Sequence, residues 1–215
     1  MNLPFTHDQF LDVFAAYNST LWPAALVLWL LTAGTVAWLA TGRAAGRALA
    51  ALLAVHWLWS GAVYHLGYFT TINPAARLFG LAFILEAGLI AWFGLVRSRL
   101  QFRWGRDRGV RGGLAVFFSV YALAYPLLIL ATGLTWPRMP AFGVPCPTTL
   151  LTVGVLLSAD TTPRMLGIIP LAWCFIGGSA ALLLGVVPDL GLILAGAALL
   201  IELVAPRVLS RARAA

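Results

Sequence analysis

Glu86 sits about midway along an apolar stretch, residues 75–96, that is long enough to cross a bilayer. An ionisable group at that depth costs at least about 2.5 kcal/mol on insertion scales, so it needs a partner or a wet cavity. His56 falls at similar depth on the preceding stretch, 46–66, which runs the other way. A His–carboxylate pair there would sit on a proton, ion or substrate path; the plainer alternative is a structural hydrogen bond. Ser60, Tyr64, His65 and Tyr68 follow His56 towards the end of the same stretch and its loop. They are candidates for the outer part of that path. His56 and His65 are not expected to share a metal or a haem. Nine residues of α-helix turn by about 900° and rise about 13 Å, which sends the two rings to opposite faces.

Pro145-Cys146-Pro147-Thr148-Thr149 is the second group with chemical potential. A Cys between two prolines resembles the intramembrane Cys-Pro elements of soft-metal pumps, where unwound backbone exposes a thiolate. The phosphorylation domain, ATP site and second Cys of such pumps are missing. With His65 or Tyr68 nearby, Cys146 is a candidate soft-metal ligand together with His65, or a nucleophile. Thr148 and Thr149 would line the path beside it. The alternative is structural: the prolines open a helix, the two Thr satisfy its free N–H groups, and Cys146 packs as a small apolar residue. Asn73-Pro74-Ala75 resembles the water-channel signature, but that family needs two such half-helices, and an N-cap with a first-turn proline suffices here.

Several chemistries are excluded by what the chain lacks. There is no Lys for a retinal Schiff base. His7 is N-terminal, so only His56 and His65 fall within the apolar stretches, and a three-His zinc site is barely available. No Ser–His–Asp order, P-loop or Gly-rich dinucleotide turn occurs. No catalytic motif emerges and no cofactor is required; a soft metal ion is the one the residues would admit.

These groups need elements to position them, and composition says which kind. The chain is 215 residues long, 61% hydrophobic and only 10% charged, far below the quarter charged residues of soluble domains. Seven apolar stretches, 21–41, 46–66, 75–96, 113–134, 142–158, 165–185 and 189–205, predict an all-α polytopic transmembrane bundle of seven spans. The span at 142–158 is short, which leaves a re-entrant or tilted helix open. All 14 basic residues are Arg. With the N-terminus outside and the C-terminus cytoplasmic, 12 of the 14 fall on the cytoplasmic side, and Arg77 and Arg138 face out. The net charge of +7 therefore points to anionic lipid headgroups as partner, with no nucleic acid.

Residues 1–20 read as a short interfacial helix. Thr6 and Gln9 have capping-box spacing, and Phe10, Val13, Phe14 and Tyr17 recur at helical intervals. Such a helix lies flat at the headgroups or packs over the mouth of the bundle. Asn18-Ser19-Thr20 reads as a turn into the first span. Residues 21–205 form one integral membrane domain, and 206–215 a basic cytoplasmic tail. No basic residue precedes the first apolar run, so no cleavable signal is expected. Cys146 and Cys174 lie at different depths and are expected to be free thiols.

Taken whole, the chain resembles an uncharacterised bacterial family of small multi-span membrane proteins. The matching elements cover most of its length: Pro4-Phe5-Thr6, Gln9-Phe10, Phe14, Tyr17-Asn18 and Trp22-Pro23, then His56-Trp57, Tyr64-His65, Phe69 and Ile72-Asn73-Pro74-Ala75, and finally Pro145 to Thr149. The resemblance implies a multi-pass protein of the bacterial inner membrane and no particular activity. The residues themselves favour a small transporter or channel-like protein. Its polar path would run from an outer vestibule to a midplane His/Glu pair and carry a proton, metal ion or small polar solute. Two alternatives stand beside it: an integral-membrane enzyme or metal- or haem-binding protein using Cys146 or His56, and an accessory subunit of a membrane complex. Either a homo-oligomer or a membrane-complex partner is compatible with the chain.

Overall fold

The computed structural model describes residues 3–41, 46–104 and 109–205. Seven helices occur among them: α1 (His7–Ala40), α2 (Gly46–Trp59), α3 (Ala76–Ala91), α4 (Gly109–Ala131), α5 (Pro145–Ser158), α6 (Met165–Leu184) and α7 (Gly191–Val204). No strand accompanies them, only an isolated antiparallel bridge between Phe102 and Ala159. Six helical segments are long and apolar enough to cross a membrane. The turn at 42–45, the Arg106–Arg108 part of the basic loop and the tail 206–215 lie outside the described residues.

The bundle is apolar on its outer faces, and its largely apolar core also holds a set of polar side chains. Leu78, Leu81 and Leu85 on α3, Leu127 on α4, and Phe175 and Leu182 on α6 are exposed, whereas His56, Ser60, His65, Glu86, Thr148, Thr149 and Thr152 are buried. Water would drive the opposite arrangement. A bilayer solvates this one, because lipid accepts the Leu and Phe faces and the interior shields the polar groups.

α1 departs from the expected interfacial helix and turn. It runs unbroken for 34 residues, about 51 Å, through Asn18-Ser19-Thr20 and Pro23. The capping box forms as its spacing predicts: Gln9 N donates to Thr6 Oγ1 at 3.2 Å, and Thr6 N donates to Gln9 Oε1 at 2.8 Å. The residues read as a turn are recruited otherwise. Thr20 Oγ1 donates back to the Ala16 carbonyl, and Asn18 Nδ2 donates to the Pro137 and Met139 carbonyls at 2.7 and 2.8 Å. The apolar stripe Phe10, Val13, Phe14 and Tyr17 is buried against the bundle, so this half of α1 packs over its end.

α2 continues as a π-helical segment, Ser60–Tyr68, before a short 3-10 turn. α3 crosses it at glycine pairs: a Cβ at Gly61 would lie 2.8 Å from the Gly80 carbonyl oxygen. Removing both side chains lets the backbones approach. α3 itself begins later than predicted. Asn73 Oδ1 accepts from Ala75 N at 3.1 Å in a turn, and the helix starts at Ala76 with no side-chain cap.

α5 lies at the centre of the bundle. Its 14 residues rise only about 21 Å, short of a bilayer core of about 30 Å, so the fifth predicted span, 142–158, is not a full-length crossing by itself. Every residue except Cys146 is buried. Its N-terminal end meets the side of the bundle carrying Tyr64 and Asp189. Its C-terminal end meets the loop after α3, where Arg103 N donates to the Ser158 carbonyl and Asp160 N to the Gln101 carbonyl. Opposite sides of the bundle are thus joined by one buried helix.

Candidate functional site

The residues converge on a cavity of about 350 Å³ at the end of the bundle where α5 begins. Phe10 and Phe14 from α1, Tyr64 from the π segment, Phe69, Phe79 from α3 and Trp173 from α6 give it aromatic walls. The rings support one another: Phe10 meets Phe14 edge-on at 4.9 Å between centroids, and Phe14 stacks on Tyr64 at 5.6 Å. Ile176, Ser179 and Leu183 of α6 are the exposed members of its lining.

The polar part of this wall is Tyr125, Cys146, Asp189 and Trp173. Asp189 lies in a short 3-10 turn, Val187–Leu190, ahead of α7 and is 6% exposed. Two tyrosines one turn apart on α4 hold that turn in place. Tyr121 donates to the Pro188 carbonyl at 2.8 Å, and Tyr125 donates to Asp189 Oδ1. The Cys146 thiol adjoins the Asp189 carboxyl. Trp173 Nε1 is buried in the wall without a hydrogen-bond partner in the protein.

Of the residues expected on a path, Tyr64 and Cys146 line this cavity. His65 stands just behind it. Its ring packs against Phe79 and, edge-on at 5.1 Å, against Trp173. Nδ1 donates to the Ser60 carbonyl at 2.9 Å, leaving Nε2 buried and unpartnered. Tyr68 lies elsewhere, on a smaller groove with Gln9, Asp12 and Thr71. Thr148 and Thr149 are buried in the first turn of α5. They do not cap it: both hydroxyls, like Ser60 Oγ, lack a partner, and Pro145 opens the helix unaided. Cys146 and Cys174 are free thiols, as expected.

The predicted His56–Glu86 hydrogen bond does not form. His56 Nε2 lies 2.7 Å from Thr32 Oγ1 on α1, and its ring meets Phe142 edge-on. Its neighbour Trp57 is the residue that faces α3 and α5, stacking on Phe83 at 4.2 Å and donating from Nε1 to Thr152 Oγ1 at 2.8 Å. One residue is about 100° of helix rotation, enough to turn His56 away from α3. Glu86 is fully buried at the middle of α3, and neither carboxyl oxygen has a hydrogen-bond partner in the protein. The prediction that His56 and His65 differ in face rested on uniform α-helix geometry. The π segment changes that rotation, and the two rings are separated by taking different neighbours, Thr32 for one and Trp173 for the other.

Asp189, Tyr125 and Trp173 escaped sequence reading. Asp189 falls where the seventh apolar stretch was taken to begin. A carboxylate between two Gly- and Ala-rich spans, just after Pro188, was the available signal. Among the described residues, no group of three or more His, Cys, Asp or Glu gathers to hold a metal.

Six apolar helices of bilayer-crossing length, with lipid-like outer faces and their few polar groups buried within a largely apolar core, make this a multi-pass α-helical membrane protein. A family described as a family of unknown function (DUF6064) matches residues 7–214, and the chain belongs to that family. No curated protein and no solved structure matches it.

Proposed function

We propose that the chain is a small inner-membrane transporter or channel-like protein, whose path runs from the aromatic cavity to Glu86. The observation that carries this reading is the state of Glu86: a carboxyl on an apolar helix, fully buried, with no hydrogen-bond partner in the protein. Native interiors leave few polar groups in that condition, and those few call for a role. The unpartnered groups are not limited to it. His65 Nε2, Ser60 Oγ, Thr148 Oγ1, Thr149 Oγ1 and Trp173 Nε1 share the bundle interior. Such groups are natural stations for a proton or a small polar solute. Glu86 is the charge-compensating or proton-coupled group in this reading. His56, held by Thr32, braces α2 against α1.

The Arg-rich ends of the helices favour the cytoplasmic face of a bacterial inner membrane, with anionic lipid against them. The cavity then opens outward. The test uses the purified chain in liposomes with a pH-sensitive dye inside and an imposed pH gradient. Wild type is expected to dissipate the gradient, and Glu86→Gln to abolish that flux while eluting as the same folded species. Unchanged flux in Glu86→Gln rejects the coupling role, and no flux in wild type rejects proton conduction.

A further inference from the structure

Ion pairing separates the acids of this chain into two groups. Asp8 and Asp12 pair with Arg138, Asp160 with Arg103, and Glu202 with Arg111. Among the described residues, Glu86 and Asp189 are the acids that make no salt bridge. Glu86 is fully buried deeper in the bundle and is not part of the cavity wall, whereas Asp189 lines a cavity large enough for a ligand. At about 350 Å³ that cavity is near the lower end of small-molecule sites, which span about 300–1,000 Å³.

We propose that this cavity binds an organic monocation, a protonated amine or alkylammonium bearing a short apolar chain, with Asp189 as its counter-ion. The inference deepens the reading above by naming the class of solute that enters the path. Its charge follows from the lining, which among the described residues contains Asp189 and no Arg, Lys or His. An anion or a phosphate-bearing headgroup would meet a carboxylate and find no basic group. The organic character follows from the walls. Phe14, Phe69, Tyr64 and Trp173 present ring faces and edges, and aromatic rings attract a desolvated cation while accepting its alkyl groups. A bare metal ion would find two adjacent donors, Cys146 and Asp189, set in hydrocarbon. Trp173 Nε1 adds a donor-only group to the wall, in a residue 8% exposed, with the Cys146 thiol as its neighbour and no nitrogen or oxygen acceptor among the described residues. An ether, hydroxyl or carbonyl oxygen on the ligand would accept from it. Ile176 and Leu183 of the lining are exposed apolar side chains, which suits a solute arriving with its chain in lipid.

Calorimetric titration of the purified chain in a neutral maltoside detergent tests this. The titrants are n-hexylamine hydrochloride and tetrapropylammonium, with 1-hexanol and hexanoate as neutral and anionic controls. Both cations are expected to bind wild type and Asp8→Asn alike. Asp189→Asn should weaken them at least about ten-fold, the equivalent of one charge-assisted hydrogen bond. Asp189→Glu keeps a carboxylate at the same place and is expected to retain more cation binding than Asp189→Asn, so a misfolded Asp189→Asn does not end the test. Equal cation affinity in wild type and Asp189→Asn, hexanol or hexanoate binding as tightly as the amine, or Asp189→Glu protein that elutes as folded yet binds no better than Asp189→Asn would each overturn the proposal. Proton flux in the same preparation separates the two readings. Cation binding absent with Glu86-dependent flux intact removes the ligand class alone. Binding present with no flux removes the path and leaves the site.

Discussion

Arg111 on α4 closes a two-pronged ion pair on Glu202 of α7, Nε to Oε2 and Nη2 to Oε1, each at 2.9 Å, with both side chains about nine-tenths buried. The guanidinium fork matches the carboxylate geometrically, and each charge depends on the other for its place out of water. Removing one partner strands the other. Arg111→Met or Glu202→Gln is expected to destabilise the bundle by about 3–5 kcal/mol, read as a lowered melting temperature in detergent. The double variant Arg111→Met/Glu202→Leu should recover most of that loss. A double variant no better than the singles would show that the pair is not the interaction being removed.

Gly154 is where α5 presses closest to α4. A Cβ there would lie 2.7 Å from the Ser119 backbone nitrogen and 2.9 Å from the Ala115 carbonyl oxygen. Backbone cannot step aside as a side chain can, so Gly154→Ala should cost about 1–3 kcal/mol. Gly34→Ala, which meets nothing within 4 Å, is the matched control and should be neutral or slightly stabilising. Equal melting temperatures for the two variants would contradict the close approach.

Trp57 links α2 to α5 through Nε1 and Thr152 Oγ1, and Thr152 in turn donates to the Thr148 carbonyl at 2.8 Å. Thr152→Val has nearly the same shape but leaves the indole N–H buried without an acceptor. The expected loss is about 1–3 kcal/mol. Thr152→Ser retains the hydroxyl and should lie closer to wild type, which distinguishes the hydrogen bond from packing.

Membrane orientation is open to direct chemical test. In a chain with Cys146→Ser and Cys174→Ser, single cysteines replacing Arg138 and Arg47 occupy opposite sides of the bundle. An impermeant maleimide added to spheroplasts should label the cysteine at 138 and spare the one at 47 until the membrane is opened. The reverse pattern would place the Arg-rich ends outside.

Much of the architecture was legible because helix periodicity and the length of apolar runs are local signals. The capping box at Thr6 and Gln9, the buried stripe from Phe10 to Tyr17 and the free thiols all follow from residue type and spacing. Rotation about a helix axis is not local. His56 and Glu86 share a depth, but Thr32 and Phe142 claim the imidazole from another side. Continuity of α1 was equally hidden, because the acceptors for Asn18 come from residues 137 and 139, more than a hundred positions away. The cavity needed six separate segments to close, and its carboxylate sits in a turn that hydropathy merges with the helix beside it.

The brevity of α5 bears on how the protein is made. A newly synthesised stretch of 14 residues containing Thr148, Thr149, Thr152 and Ser158 gains little from lipid alone. Its hydroxyls and shortened length suit a site already walled by α2, α4, α6 and α7, so it is set to enter the membrane after those neighbours have paired. Biogenesis would then end by seating this plug, and a ribosome-released chain truncated before α6 and α7 should leave it vulnerable to proteases.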